Sequence, residues 1–354
     1  MEPALFCSPS CHLPKPLYFH HRLFSLSSRK EFVMDKILNE ISFQWHITDL
    51  CNFRCKHCYQ DNFSSERDLP IQEIKRILEN LGEQFQKIFI NITGGEPFLK
   101  RDFFEIIETI SNCEFVEGFN IITNGVLLTR EKVEILKNYP KLKGIKVSIE
   151  GIKSNDFIRG RGCLNTVRKN MEKIEGIKKI IMWTAGSYNY KEIEDVYEFA
   201  RRYGNGLIIE RFVPLGNGMK LKEHYLKKEE WKFIVEFIRE YFLIEDIKEL
   251  AKFRAFYLDF ENEEVSGALC EIGNTFALMP DGSIYPCRRL PVKIGNALWT
   301  KNIKERIENF RKEIEKNLKG KCSKCSFFNE CIGCRAGVYS MENNMFSQDE
   351  QCFL

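Results

Sequence analysis

Three cysteines stand close together in the run Asp49-Leu50-Cys51-Asn52-Phe53-Arg54-Cys55-Lys56-His57-Cys58-Tyr59. The spacing C-x3-C-x2-C offers three thiolates from one short loop and leaves a fourth coordination corner open. Structural metal sites are usually closed, whereas catalytic ones keep a position free. The plainer alternative is half of a zinc site, or three unrelated core cysteines. Three thiolates can hold three irons of a 4Fe–4S cube. The fourth iron then needs an outside ligand, and a small molecule with a free amine and carboxylate could chelate it.

The run Gly94-Gly95-Glu96-Pro97 follows one structural unit later. Two residues without Cβ would let backbone approach such a ligand. Glu96 could accept charge-assisted hydrogen bonds from an ammonium group, and Pro97 would start the next helix. Alone, Gly-Gly is often only a turn. A second cysteine set closes the chain: Cys270, Cys287, then Cys322-x2-Cys325-x5-Cys331-x2-Cys334, and Cys352. Taken by itself, C-x2-C-x5-C-x2-C fits a zinc ribbon or a ferredoxin-type loop.

Elements must bring these groups together. Apolar, β-branched runs predict strands at Ile41–Thr48, Lys87–Thr93, Gly118–Thr123, Gly144–Ile149, Lys179–Ala185 and Gly206–Phe212. Amphipathic stretches predict helices at Ile71–Leu81, Asp102–Ile110, Arg130–Asn138, Leu164–Ile174 and Lys191–Tyr203. Alternating β and α units imply a parallel sheet with right-handed crossovers. Six units, short of eight, imply an α/β fold built as a partial (β/α)6 TIM-type barrel. The unusual residues fall after the strands, where such barrels place their sites. Residues 228–250 predict one long helix packed across the barrel through Trp231, Ile234, Ile238 and Tyr241, with a peptide-docking face as the alternative. After about residue 262 the rhythm stops, and metal centres are expected to staple the remainder. The expected organisation is a disordered tail over 1–35, the barrel over 36–218, a helical bridge over 219–262 and a cysteine-rich domain over 263–354.

Bulk properties narrow the classes. The chain has 354 residues, 44% hydrophobic and 29% charged, with a net charge of +3. Mixed charges argue against a nucleic-acid surface, and the Lys/Glu-rich stretch 301–321 reads as a solvated helix face. No run of 18 apolar residues predicts a membrane span, and the start carries no secretory segment. Fourteen cysteines without such a segment fit metal-bound thiolates in a reducing cytoplasm. Pro3, Pro9, Pro14 and Pro16 mark residues 1–33 as a tail. Met34 stands just before the first patterned segment, and Cys7 and Cys11 receive no role.

On Cys51, Cys55, Cys58, Gly94–Pro97 and the barrel pattern, the chain resembles the radical S-adenosylmethionine (SAM) superfamily across roughly residues 41–215. The resemblance implies a SAM-binding 4Fe–4S cluster and reductive cleavage of SAM to a 5′-deoxyadenosyl radical. It implies SAM contacts at Tyr59, Gly94, Gly95, Glu96, Pro97, Asn124, Ser148, Glu150 and Arg159, and it singles out no further catalytic residue. Local readings stay open beside these: Ser148 as a strand-end hydroxyl, Arg159 as a surface ion pair, Asn124 as a turn residue. Glu150 stands where relatives often carry Asp.

The C-terminal cysteines resemble the SPASM domain, which carries two auxiliary 4Fe–4S clusters. The resemblance implies one cluster on Cys322, Cys325, Cys331 and Cys352, and another on Cys270, Cys287 and Cys334. Here the last pair is C-x2-C where the family has C-x3-C. The near cluster then has an open iron or another donor. Cys163 is conceivable, although it and Cys113 also fit buried apolar positions. SPASM-type enzymes mostly act on peptides, which implies a peptide or protein substrate and an electron donor such as flavodoxin or ferredoxin, with no nucleic acid and no membrane. The segment Glu210–Gly218 resembles peptide-modifying members, whose products include thioether and carbon–carbon crosslinks and epimerised residues. Arg288 stands where the sulfatase-maturing branch tends to carry an acid, which argues against that branch. The Arg288-Arg289 pair could steer an acidic leader peptide or be a solvated turn. The alternatives are maturation of a tetrapyrrole or redox-cofactor peptide, and a non-catalytic zinc or electron-transfer protein.

Overall fold

The computed structural model describes residues 39–354. The tail expected at residues 1–33, with Cys7 and Cys11, lies outside them. Six parallel strands form the centre: β1 (Glu40–His46), β2 (Lys87–Thr93), β3 (Val116–Thr123), β4 (Leu142–Ile149), β5 (Lys179–Ala185) and β6 (Gly206–Arg211). Each pairs with the next, from Glu40 opposite Lys87 to Ala185 opposite Arg211, and the register shifts once between β2 and β3, at Ile88/Phe89, and once between β3 and β4, at Phe119/Asn120. The strands alternate: Phe43, Trp45, Ile90 and Ile92 are buried outward under helices, while Gln44, Asn91, Lys146 and Glu210 face the barrel interior.

The crossovers follow from helical periodicity. In α1 (Ile71–Gln84) the buried residues Ile74, Ile77, Leu78 and Leu81 lie on one stripe. α2 (Phe103–Asn112), α3 (Arg130–Leu136), α4 (Asn155–Arg159), α5 (Cys163–Met171) and α6 (Ile193–Tyr203) complete the set. Removing a side chain such as Ile77, which is fully buried, costs about 2–5 kcal/mol as Ala.

The helix expected over 228–250 is broken. α7 (Lys228–Tyr241) ends where Leu243 adopts a left-handed conformation with φ 55°. Ile244 N there donates to Arg239 O at 2.9 Å, a C-terminal cap. Val235, not Tyr241, completes the buried stripe with Trp231, Ile234 and Ile238. Tyr241 lies half exposed on Tyr197, ring centroids 4.6 Å apart. A short α8 (Ile247–Leu250) follows.

The sheet does not stop where the barrel rhythm stops. β7 (Ala255–Asp259) pairs antiparallel with β6, and β8 (Glu264–Ala268) with β7. β9 (Ala277–Leu278) pairs parallel with β1 through Gln44–Ala277 and Trp45–Leu278. β10 (Ser283–Tyr285) and β11 (Gly295–Asn296) extend that edge. One eleven-stranded sheet therefore crosses the expected boundaries at 218 and 262. Phe276, Leu278, Ile284, Ile303 and Ile307 join the main core, so the C-terminal segment borrows apolar burial from the barrel. α9 (Ile303–Asn317) starts on α1: Ile303 N donates to Gln84 Oε1 at 3.1 Å, and Asn80 Nδ2 to Ala297 O at 2.6 Å. A second small core holds Cys270, Cys334, Ile314 and Ile332, beside α10 (Arg335–Glu342).

Candidate active site

All six parallel strands end on one cavity of about 970 Å³, counting its open mouth. Cys51, Cys55 and Cys58 line it after β1, Gly94 and Gly95 after β2, and Asn124 after β3. Ser148 of β4, Thr184 of β5 and Glu210 of β6 complete the ring, with Arg159, Tyr59 and Phe212 above. This is the end of the strands at which β/α barrels build their sites.

The cysteine loop is fastened from three sides. Gly95 N donates to Thr48 O and Glu96 N to Leu50 O, both at 2.8 Å. Lys56 N donates to Ile158 O at 3.0 Å. From the loop after β6, Gly218 N donates to Cys58 O at 2.7 Å, and Asn217 Nδ2 to Cys55 O at 2.8 Å. The glycines serve this fastening. A Cβ on Gly95 would sit 2.5 Å from both Asp49 O and Leu50 O, and one on Gly94 2.5 Å from Thr48 O. The missing side chains thus admit the cysteine loop's own backbone, in addition to fronting the cavity.

Several expected contacts have different partners. Glu96 is fully buried, and it accepts from Thr123 Oγ1 (2.8 Å), Asn124 N (2.8 Å) and Phe98 N (3.3 Å). Its carboxylate therefore ties β2 to β3 beneath the cavity lining. Burial pushes its pKa up to about 7 despite these donors. Pro97 is buried at the start of a short 3-10 turn, Pro97–Leu99, away from the lining. Asn124 is spent locally: Nδ2 donates to Asn52 Oδ1 (2.8 Å), and Oδ1 accepts from Val126 N (3.0 Å). The left-handed turn residue is Gly125, φ +79°.

Glu150 and Arg159 meet each other. Arg159 donates Nη2 (2.5 Å) and Nε (3.2 Å) to Glu150 Oε1, and His57 Nε2 lies 3.1 Å from the same oxygen. Burial would raise the Glu150 pKa, but the His57 and Arg159 charges hold it below the usual range. Glu150 Oε2 and His57 Nδ1 are buried without a hydrogen-bond partner. Arg159 thus forms a buried pair rather than a surface one, and it still fronts the cavity beside the cysteines.

The donor set suits a cluster. Burial pushes the Cys51 thiol up to about 11 and Cys58 to about 12, and raises Cys55 as well. Thiols held so high stay protonated at neutral pH unless a metal takes the proton's place. Backbone N–H groups nevertheless aim at the sulfurs: Phe53 N to Cys51 Sγ at 3.4 Å, Arg289 N to Cys287 Sγ at 3.5 Å, Gly333 N to Cys331 Sγ at 3.3 Å. The same two-residue relation holds for Cys58 with Gln60, Cys270 with Ile272 and Cys352 with Leu354. Hydrogen bonds to sulfur are what tune thiolate ligands of iron–sulfur clusters. Among the described residues, no three His, Cys, Asp or Glu side chains converge closely enough for a single metal ion. The thiols instead ring their cavities.

The second cysteine set surrounds a separate, smaller cavity, about 500 Å³ counting its open mouth. Cys270, Cys322, Cys325, Cys331 and Cys352 line it. Cys287 and Cys334 pack beside Cys270 in the small core. Cys163 is not with them. It is buried on α5 near Arg159, Asn155 and Cys55. Cys113, half-buried, lies 3.3 Å from Thr109 O, its sulfur donating there.

Arg288 and Arg289 are not a solvated turn. They line the first cavity, Arg288 Nη2 donates to Glu210 Oε2, and Arg289 Nη1 lies 3.7 Å from that oxygen. Burial alone would raise the Glu210 pKa, but the surrounding arginines hold it at about 2. His57, Thr93, Phe212 and Glu210 also line the cavity, beyond the expected contacts. An acid inside the apolar strand Gly206–Phe212, and a His between two of the clustered cysteines, were the available signals.

Residues 45–200 match the radical SAM superfamily. The AdoMet-dependent heme synthase of Methanosarcina barkeri is 28% identical over 340 residues, covering 87% of this chain and 95% of the relative. The mycofactocin maturase MftC of Mycolicibacterium smegmatis is 26% identical over 332 residues, covering 88% and 82%. Among solved structures, native anSMEcpe with bound AdoMet and Cp18Cys peptide superposes with a TM-score of 0.67 at 19% identity, covering 88% of this chain and 94% of that one. Streptococcus suis SuiB bound to precursor peptide SuiA gives 0.62 at 17%, covering 90% and 76%.

Proposed function

For a chain that carries a radical SAM domain across residues 45–200, we propose reductive cleavage of SAM and radical modification of a peptide. One observation carries the reading: Cys51, Cys55 and Cys58 open onto the same cavity as Gly94, Gly95, Ser148 and Arg159. When bound, the reduced cluster and SAM together supply a 5′-deoxyadenosyl radical able to take a hydrogen atom from substrate.

The chain's own residues divide the remaining work. Cys51, Cys55 and Cys58 hold the cluster. The cavity-facing backbone of Gly94 and Gly95, with Ser148 and Arg159, orients the amino-acid end of SAM. Glu96 and Asn124 act by fixing the loops, and Glu150 with His57 fixes Arg159. Tyr59, Phe63 and Phe212 exclude water, which a reactive radical requires. The substrate occupies the side of the cavity formed by Met182, Thr184, Glu210 and Arg288. One sheet runs through all three segments, but their roles differ: the barrel segment up to residue 218 binds SAM, 219–262 bridges, and 263–354 carries two auxiliary clusters on the seven C-terminal cysteines. A flavodoxin- or ferredoxin-type donor supplies electrons.

The likeness to the heme synthase of Methanosarcina barkeri favours a second reading, a tetrapyrrole substrate. Among the described residues no helix is long and apolar enough to cross a membrane.

Anaerobic reconstitution tests the proposal. About twelve irons per chain, three cubes of four, are expected, with 5′-deoxyadenosine formed from SAM and a reductant. Bound zinc in place of iron, or no cleavage, would overturn it. Mass spectrometry of a peptide encoded beside the gene then identifies the bond: a loss of two hydrogens reports a crosslink, and deuterium uptake without mass change in ordinary water reports epimerisation.

A further inference from the structure

We propose that Arg288 and Arg289, with Glu210 as resident counter-ion, form a seat for a carboxylate of the substrate. The inference rests on the function proposed above and specifies its substrate class. The cavity has two cationic poles. Arg159 is the pole beside the cysteines, since its charge acts on Cys51, Cys55 and Cys58. Arg159 pairs with Glu150 after β4, whereas Arg288 pairs with Glu210 of β6 and lies over the Tyr59 ring, so it forms the other pole.

Cations crowd there: Lys146, Arg254, Arg288 and Arg289 all bear on Glu210, and Glu271 also reaches Lys146. Arg288 and Arg289 share one oxygen, Glu210 Oε2. Arg289 is more than nine-tenths buried, gives Nη1 to Arg211 O at 2.9 Å, and has an Nε with no partner. Fully buried His46, at the end of β1, likewise has both ring nitrogens unpartnered. Buried cations that share one counter-ion, and idle buried donors, are costly. A guanidinium fork answers a carboxylate with two parallel hydrogen bonds. Arg289 also faces Cys287 and Cys334, whose thiolates would take part of its charge, which makes Arg288 the principal anchor. The aromatic wall of Tyr59, with Arg288 5.7 Å from its ring centroid, suits an apolar group next to that carboxylate.

The test uses the reconstituted, SAM-loaded enzyme and two probes, N-acetyl-Gly-Phe as free acid and as amide. Saturation-transfer NMR titration should find the acid bound about tenfold tighter. Arg288→Gln and Arg289→Gln should bring the acid down to the amide's affinity, and Arg288→Lys should restore part of the difference. Glu210→Gln should tighten the acid severalfold, a gain that general damage cannot mimic. Coproporphyrin and its tetramethyl ester form a parallel arm: preference for the free porphyrin acid alone assigns the seat to a tetrapyrrole carboxylate, and preference for the peptide acid assigns it to a peptide. Equal affinities of acid and ester or amide in both arms, no acid binding in either, or weakening by Glu210→Gln would overturn the proposal. SAM cleavage, measured separately, reports on the radical reading alone.

Discussion

Arg211, the last residue of β6, pairs with Asp349 near the chain's end through a buried contact of 3.3 Å between Nη1 and Oδ2. The same Oδ2 accepts from Cys334 N at 2.8 Å, and Asp349 N donates to Cys322 Sγ at 3.4 Å. One aspartate therefore links the barrel rim to a cysteine of each proposed auxiliary group. Asp349→Ala strands a buried guanidinium, and such losses cost about 3–5 kcal/mol. Urea unfolding under anaerobic conditions should register that drop, with iron lost from the C-terminal sites before the first cluster.

The loop after β6 grips the cysteine loop through residues that have no room for a side chain. A Cβ on Gly218 would lie 2.8 Å from His57 O, and one on Gly216, at φ +52°, 2.4 Å from Tyr59 O. Gly216→Ala and Gly218→Ala should each lower occupancy of the first cluster and SAM cleavage by tenfold or more. Gly160→Ala is the control, because φ is positive (+123°) but nothing lies within 4 Å of its Cβ. It should lose stability modestly and keep its iron. Comparable iron loss in all three variants would disprove the grip.

The thiol inventory makes a selective prediction. Cys55→Ala should remove about four of about twelve irons and abolish SAM cleavage. Cys163→Ala and Cys113→Ala should leave the iron count unchanged, because Cys163 lies near Arg159 and Cys113 near Thr109, both apart from the C-terminal set. Iron analysis of the three variants decides it.

Lys146 supplies a pH signature. It is half-buried inside the barrel, and its Nζ donates to Asn91 Oδ1 at 2.8 Å. Burial lowers its pKa to about 8; Glu210 and Glu271 act against the shift and Arg288 with it. The unfolded chain, near its ordinary value of about 10.4, then binds more protons than the folded one between those limits. Stability contributed by this group accordingly rises with pH from about 8 to about 10. Urea midpoints of the wild type should climb across that window relative to Lys146→Met, and parallel curves would remove Lys146 as the cause.

The parallel strands were legible because they are apolar on both faces or strictly alternating, and Lys87–Thr93 and Lys179–Ala185 match residue for residue. The cysteine spacing carried the first site, since ligand and loop are contiguous. What stayed hidden depends on distant contacts. The partners of Glu96, Thr123 and Asn124, lie 27 and 28 residues further along the chain. For Arg288 and Arg289 a peptide-steering pair and a solvated turn stay open in the sequence, because the carboxylate that Arg288 meets, Glu210, lies 78 residues away. The end of α7 was missed because a leucine, not a glycine, takes the left-handed position at 243. β9 was invisible because two residues carry no periodicity.

That two-residue strand has a practical consequence. β1 carries the first cysteines on its C-terminal end, and β9 covers its outer edge at Gln44 and Trp45. Cutting the chain near residue 262 would leave those backbone groups bare beside Phe43, whose ring stacks on Phe276 at 4.5 Å. A bare strand edge next to an uncovered aromatic invites self-association. The SAM-binding half is therefore not a separable module, and expression of it alone should yield aggregate instead of a minimal enzyme.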